Sequence, residues 1–156
     1  MPHHEERKYL PYSPEQMFDL VADVASYPQF LPWLVSARVY DQRDNSFQAD
    51  LIVGFKVFKE RFTSKVQLEP KRRVQVNYIR GPLRYLHNEW IFHAVEGGGC
   101  AIDFCVDFEF KNHLFERLAG AVFTEAVSRM VKAFEQRADR VYAKPDAPKP
   151  PSRSGV

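Results

Sequence analysis

The stretch HLFERLAGAVFTEAVSRMVKAFEQRADRVY, residues 113–142, decides the fold. Leu118, Val122, Ala126, Met130, Phe134 and Ala138 recur every four residues, with Phe115 and Val141 extending the row, which predicts one face of a long helix. A second apolar row, Ala119, Phe123, Val127 and Val131, widens the stripe beyond what a surface helix needs. Arg117, Thr124, Glu125, Ser128, Lys132, Glu135, Gln136 and Asp139 take the other side, and Asn112 suits the N-cap. A helix this long and this apolar must lie on something large.

The chain before it supplies that surface. Residues 7–12 read as a short strand. Ser13-Pro14-Glu15-Gln16 then carries a helix start: Ser13 caps, Pro14 suits the first helical position, Gln16 completes a capping box, and Tyr12 and Met17 are placed for a hydrophobic staple. A second short helical piece over 26–31 ends before Pro32. Strands follow. Residues 35–42 form one, and Phe47, Ala49, Leu51, Val53 and Phe55 alternate with polar or small neighbours in the next. The phase then changes, so that Phe58, Glu60, Phe62, Ser64, Val66 and Leu68 share a face, and Gly54 is the expected site of a bulge or bend. Further strands are marked by Val74, Val76 and Tyr78, by Leu86, Asn88, Trp90 and Phe92, and by Ile102, Phe104, Val106, Phe108 and Phe110. Consecutive strands with short turns predict an antiparallel sheet, and strands followed by a helix predict an α+β fold. The expectation is a helix-grip arrangement: a curved sheet of about six or seven strands wrapped around the C-terminal helix, two short helices after the first strand, and a cavity between helix and sheet.

At 156 residues the chain is long enough for a real core, and one domain over 1–143 is expected. Residues 144–156 form a Pro-rich polar tail that cannot bury enough surface to fold. A net charge of +2 gives no reason to invoke DNA, and no apolar run reaches membrane-spanning length. The start, Met1 to Arg7, has no hydrophobic signal core, and Cys100 and Cys105 fall on opposite faces of one strand, which disfavours a mutual disulfide. A cytoplasmic location with reduced thiols fits, with the inner face of a membrane as a peripheral docking place. The 13 Phe, 7 Tyr and 2 Trp fill a core or line a pocket, and composition does not separate the two.

Catalytic chemistry finds little support. No Ser sits in a nucleophile-elbow context, and no spacing matches a metal site; His87, Glu89 and His93 read as solvated residues of an outer face. Gly97-Gly98-Gly99 is a turn without a phosphate-loop lysine. Glu60 and Asn88 are more informative, because strand parity puts both on the apolar face. A buried carboxylate is costly unless paired, hydrogen-bonded or protonated, so either these two sit at the rim or satisfy backbone groups, or they orient a ligand in an apolar pocket. Basic residues cluster at Lys71-Arg72-Arg73 and at Arg80 and Arg84, as solvated turns or as a contact for RNA or an anionic membrane.

Tyr12-Ser13-Pro14-Glu15-Gln16-Met17-Phe18, Val21-Ala22-Asp23-Val24, Tyr27 to Trp33, Glu60-Arg61-Phe62-Thr63-Ser64, Gly81-Pro82-Leu83, Leu86-His87-Asn88, Trp90, Phe108-Glu109-Phe110 and Arg137-Ala138 together resemble the coenzyme Q-binding START-domain family, in the polyketide-cyclase-like group of the helix-grip (START/Bet v 1-like) superfamily. The resemblance covers roughly residues 7–142. It implies a carrier that binds ubiquinone, serves respiration, uses no catalytic cofactor and is not an enzyme. A bacterial branch with nearly the same motifs is described as a ribosome-associated toxin that blocks subunit joining, so a ribosome-bound regulator is the alternative reading. The ligand expected is a polyprenyl quinone, held by Trp33, Phe55, Phe62, Tyr78, Trp90, Phe104, Leu118, Val122, Phe123 and Met130, with Glu60 and Asn88 as polar contacts. One row of the long helix is expected to pack on the sheet and the other to face the cavity. Gly120 beside Ala119 and Ala121 leaves room for a ligand or for close helix contact.

Overall fold

The structure is a computed structural model that describes residues 3–55 and 58–142, with the side chains of Phe55 and Phe58 excepted. The tail expected at 144–156 lies outside the described residues. The elements run β1 (His3–Leu10), α1 (Pro14–Ala22), a 3-10 helix (Val24–Gln29), β2 (Leu34–Tyr40), β3 (Ser46–Phe55), β4 (Phe58–Glu69), β5 (Arg73–Arg80), β6 (Leu83–Ala94), β7 (Cys100–Phe110), α2 (His113–Ser128) and α3 (Met130–Tyr142). The strands form one antiparallel sheet in the order β1-β7-β6-β5-β4-β3-β2, so the first strand returns beside the last and each other strand pairs with its chain neighbour. This is the expected α+β helix-grip architecture.

Local chemistry accounts for the start of the chain. The Ser13 hydroxyl accepts from the Gln16 amide at 3.1 Å and the Ser13 amide donates to Gln16 Oε1 at 2.9 Å, which closes the capping box. Tyr12 and Met17 flank it, fully buried.

The phase change after Gly54 has a simpler origin than a bulge. β3 and β4 pair without a shift from Ser46–Gln67 to Phe55–Phe58, so odd positions of one strand face even positions of the next. Register shifts fall instead at Leu34/Ser36, Thr63/Ser64 and Leu83/Tyr85, where an extra residue bends a strand.

The C-terminal helix is not continuous. Arg129 (φ −101°, ψ 4°) separates α2 from α3, and its amide reaches back to the carbonyls of Glu125 and Ala126. Ser128 Oγ donates to the Glu125 carbonyl at 2.9 Å, a back-bond of the kind that bends helices. The two halves are anchored differently. α3 is bolted by polar contacts: Tyr12 donates to the Asp139 carboxylate, Tyr142 to the Gln16 carbonyl at 2.8 Å, Arg137 to Gln29 Oε1 at 2.7 Å, and Lys8 pairs with Glu135 at 3.3 Å. α2 rests on rings: Phe115 on Phe110, and Phe123 on Phe62, Phe108 and Phe110.

The convex face of the sheet carries charge. Arg7 holds Asp103 with two bonds of 2.6 and 2.7 Å, His93 joins it at 2.9 Å, and Glu89 pairs with Arg73 at 3.0 Å, which accounts for two of the three residues noted on that face of β6. Asp50 is buried there and accepts from Thr63 at 2.8 Å, Tyr40 at 3.1 Å and Arg38 at 3.3 Å. Burial pushes the Asp50 carboxyl up, but these three bonds outweigh it and hold it below its ordinary value. Arg7, against burial and with help from His93, does the same for Asp103. Folding therefore favours both ionised forms. That stability is complete above the ordinary carboxylate range and is lost as pH falls through the folded-state values. The urea midpoint is expected to drop between about pH 4 and pH 2, and Asp50→Asn to flatten part of that slope. An unchanged slope in Asp50→Asn would remove Asp50 from this account.

Candidate ligand-binding cavity

Strand parity and helix spacing converge on one interior space. A cavity of about 190 Å³ lies between the concave face of the sheet and the two C-terminal helices. Its floor is built from paired positions: Ala49 opposite Ser64, Leu51 opposite Phe62, and Val53 opposite Glu60. Across the next strands, Val66, Val76, Asn88 and Val106 form one row, in which Asn88 is the single polar member. α2 and α3 supply the roof, from Phe115 and Ala119 to Phe134, and the 3-10 helix and the loop after it supply Tyr27, Leu31 and Trp33.

Of the residues expected from the sequence, Trp33, Glu60, Phe62, Asn88, Trp90, Phe104, Val122, Phe123 and Met130 line this space. Phe55 lies outside the residues whose side chains are described. Tyr78 and Leu118 are corrections. Tyr78 packs beside Phe62, but its hydroxyl is drawn into the β5–β6 turn, where it accepts from the Leu83 amide at 2.8 Å. Gly81 permits this. At φ +153° it adopts a conformation that L side chains rarely take, and an added Cβ would stand 2.7 Å from the Tyr78 hydroxyl and 2.9 Å from the Arg61 carbonyl. Leu118 is 52% exposed on the outside of α2. A row of every fourth residue advances about 40° around a helix at each step, so Leu118 and Phe134 cannot share one face. Gly120 is buried and does not border the cavity, and an added Cβ would meet Glu116 Cγ at 3.4 Å and the Phe110 ring at 3.6 Å, ordinary contact distances, so close packing does not require glycine there.

The lining is apolar apart from Glu60, Ser64, Asn88, the Tyr27 phenol and the indole N–H groups of Trp33 and Trp90. Tyr27 is committed: its hydroxyl donates to the Val21 carbonyl, and burial, with the Asp23 charge, pushes its pKa far above the ordinary value. It contributes a neutral ring. Asn88 donates to the Cys105 carbonyl at 2.9 Å, which holds the amide in place and leaves its oxygen and a second N–H. Glu60 is half-buried, Ser64 is buried, and neither has a hydrogen-bond or ion-pair partner among the described residues. Ser64, Tyr27 and Phe134 were not singled out from the sequence. Ser64 was visible in principle, since it shares strand parity with Glu60; the inward turn of Tyr27 depends on the 3-10 helix and carries no periodic signal.

Among the described residues no group of His, Cys, Asp and Glu is placed to hold a metal ion, and no helix is long and apolar enough to cross a membrane. The basic turns are partly neutralised. Lys71 pairs with Glu15 at 3.1 Å, Arg73 with Glu69 at 3.4 Å as well as with Glu89, and Arg84 with Glu109 at 3.1 Å.

Comparison with known proteins places this architecture. The family model described as polyketide cyclase / dehydrase and lipid transport matches residues 10–135. The chain is 38% identical over 143 residues to the ribosome association toxin RatA of Escherichia coli, covering 92% of this chain and 90% of that protein. It is also 38% identical over 149 residues to the mitochondrial coenzyme Q-binding protein COQ10 homolog B of Xenopus laevis; that match covers 93% of this chain but spans only 61% of the relative's length. Among solved structures, an 18 kDa protein of Caulobacter crescentus superposes with a TM-score of 0.71 at 32% identity, over 91% of this chain and 99% of that one. The Zhui aromatase/cyclase of Streptomyces sp. R1128 superposes at 0.77 with 15% identity, over 89% and 94%, a likeness of fold alone. With a family match over residues 10–135 and relatives 38% identical over nearly all of its length, the chain belongs to the polyketide cyclase / dehydrase and lipid transport family and is similar to COQ10-type and RatA-type proteins.

Proposed function

We propose that this protein is a ligand carrier that binds a polyprenyl quinone, with ubiquinone as the favoured member, and delivers it in support of respiratory electron transport. The observation that carries this reading is the cavity itself: an apolar lining with three uncommitted or half-committed polar side chains, the composition of a site that orients one polar ring and shields an apolar body. The likeness to a coenzyme Q-binding protein supports it. Affinity comes from burying apolar ligand area, at roughly 25 cal/mol per Å² before association costs. No bond is made or broken, and no catalytic cofactor is needed.

At about 190 Å³ the cavity takes a ring and little more, below the roughly 300–1,000 Å³ of sites that enclose drug-sized ligands. A prenyl chain therefore needs a moving wall. α2 is the half of the roof that packs through apolar side chains such as Phe115, Phe123 and Val127, and the break at Arg129 separates it from the bolted α3. Swinging α2 outward opens the cavity and leaves the rest of the fold in place. Leu114 and Leu118, 63% and 52% exposed on α2, are the side chains that would meet a bilayer during loading.

The direct test is expression in a quinone-producing host, solvent extraction of the purified full chain and mass spectrometry. Near-stoichiometric ubiquinone is expected; an extract without quinone, from protein that also fails to bind added quinone, would sink the reading. A second reading is favoured by the length over which RatA matches: a regulator bound to the large ribosomal subunit that blocks subunit joining. The ion pairs of Lys71, Arg73 and Arg84 argue against those three carrying that contact. Arg61, Lys65 and Arg80 are exposed and have no ion-pair partner among the described residues, so the convex side of β4 and β5 is the surface it would use. Cosedimentation with large subunits, lost in Arg61→Ala/Arg80→Ala, would favour it.

A further inference from the structure

Glu60, Ser64 and Asn88 differ in what they offer a ligand. The Ser64 hydroxyl both donates and accepts, and Asn88, with one N–H spent on Cys105, still has a donor and an acceptor. A carboxylate at Glu60 only accepts. It borders the cavity half-buried and without a donor among the described residues, so its hydrogen bonds come from solvent until a ligand that displaces that solvent supplies a donor. The two redox forms of a quinone differ in this one respect. The oxidised ring carries two carbonyl oxygens, which only accept. The reduced ring carries two hydroxyls, which donate and accept. Ser64 and Asn88 satisfy either form. Glu60 satisfies the reduced form and sets its own lone pairs against those of the oxidised one.

We infer that the cavity binds the hydroquinone in preference to the quinone, and that Glu60 is the residue that selects. This rests on the quinone-carrier reading and specifies which redox form the carrier holds. A carrier with this preference withdraws reduced ligand from the pool and protects its hydroxyls from oxidants. By linkage, each tenfold of preference raises the midpoint potential of the bound two-electron couple by about 30 mV.

The test is an anaerobic titration of the full chain with decyl-ubiquinone and with the same compound reduced by dithionite, read by quenching of tryptophan emission, since Trp90 and Trp33 line the cavity. A hydrogen bond to a charged group predicts binding of the reduced form tighter by about tenfold to a hundredfold. Glu60→Gln exchanges a carboxylate oxygen for an N–H that can serve a carbonyl, and is expected to bring the two forms to similar affinity. Ser64→Ala is expected to weaken both forms and keep their ratio. Equal binding of the two forms by the unaltered protein overturns the inference and leaves the carrier reading intact. A ratio that persists in Glu60→Gln overturns the role of Glu60. Failure of both forms to bind rejects the carrier reading, and the inference falls with it.

Discussion

Val122→Trp is expected to abolish quinone binding while the fold survives. Val122 is half-buried on α2 and lines the cavity, as do Ala119 and Ala126 one turn to either side. An indole placed there occupies space that a ligand ring would need. In a cavity of about 190 Å³ little room is left for both. The affinity should fall by about a hundredfold or more, about 2.8 kcal/mol. The stability change should be small, because the added ring enters a void and α2 can shift outward about Arg129. Binding would be followed with the short-chain quinone and stability by urea denaturation. Unchanged binding in a folded variant would mean that the ligand lies elsewhere.

The largest effect on stability is expected from Phe134→Ala. Phe134 is 1% exposed and is ringed by Tyr27 at 5.1 Å, Phe30 at 5.0 Å and Trp90 at 4.9 Å, all near perpendicular. It is the point where α3, the 3-10 helix and the sheet meet. Truncation loses the buried ring, the three edge-to-face contacts and the packing that holds Phe30 under Arg137, whose guanidinium lies 5.1 Å from that ring. A loss of about 3–5 kcal/mol is expected, enough to lower the melting temperature by roughly 10–15 °C. A cost below about 1 kcal/mol would show that neighbouring rings close over the gap.

These two positions illustrate what patterning can and cannot reveal. Both belong to the same four-residue row, and the sequence treats them alike. In the structure both border the cavity, but Phe134 is buried among three aromatic rings while Val122 is only half-buried. The difference arises because successive members of the row rotate around the helix, and because the helix is interrupted at Arg129, where a serine back-bond competes with the regular ladder. Neither Ser128 nor Arg129 is an evident helix breaker, so the interruption was not legible. Tyr78 shows the same limit on a strand: parity put it on the inner face correctly, yet the Gly81 turn captured its hydroxyl. The basic turns show it for charge, since Glu15 and Glu109 neutralise Lys71 and Arg84 from distant parts of the chain.

Alternation, turn residues and the Ser13 capping box are local, and they sufficed for the strands, their order, the short helices and the inward face on which Glu60 and Asn88 stand. Period-two geometry leaves a side chain only two directions, so the sequence alone could assign them. Whether the space above that face is filled or hollow, which side of the last helix roofs it, and which polar atoms remain without partners depend on how distant side chains meet. Those are sums over contacts far apart in the chain, and only the tertiary structure decided them.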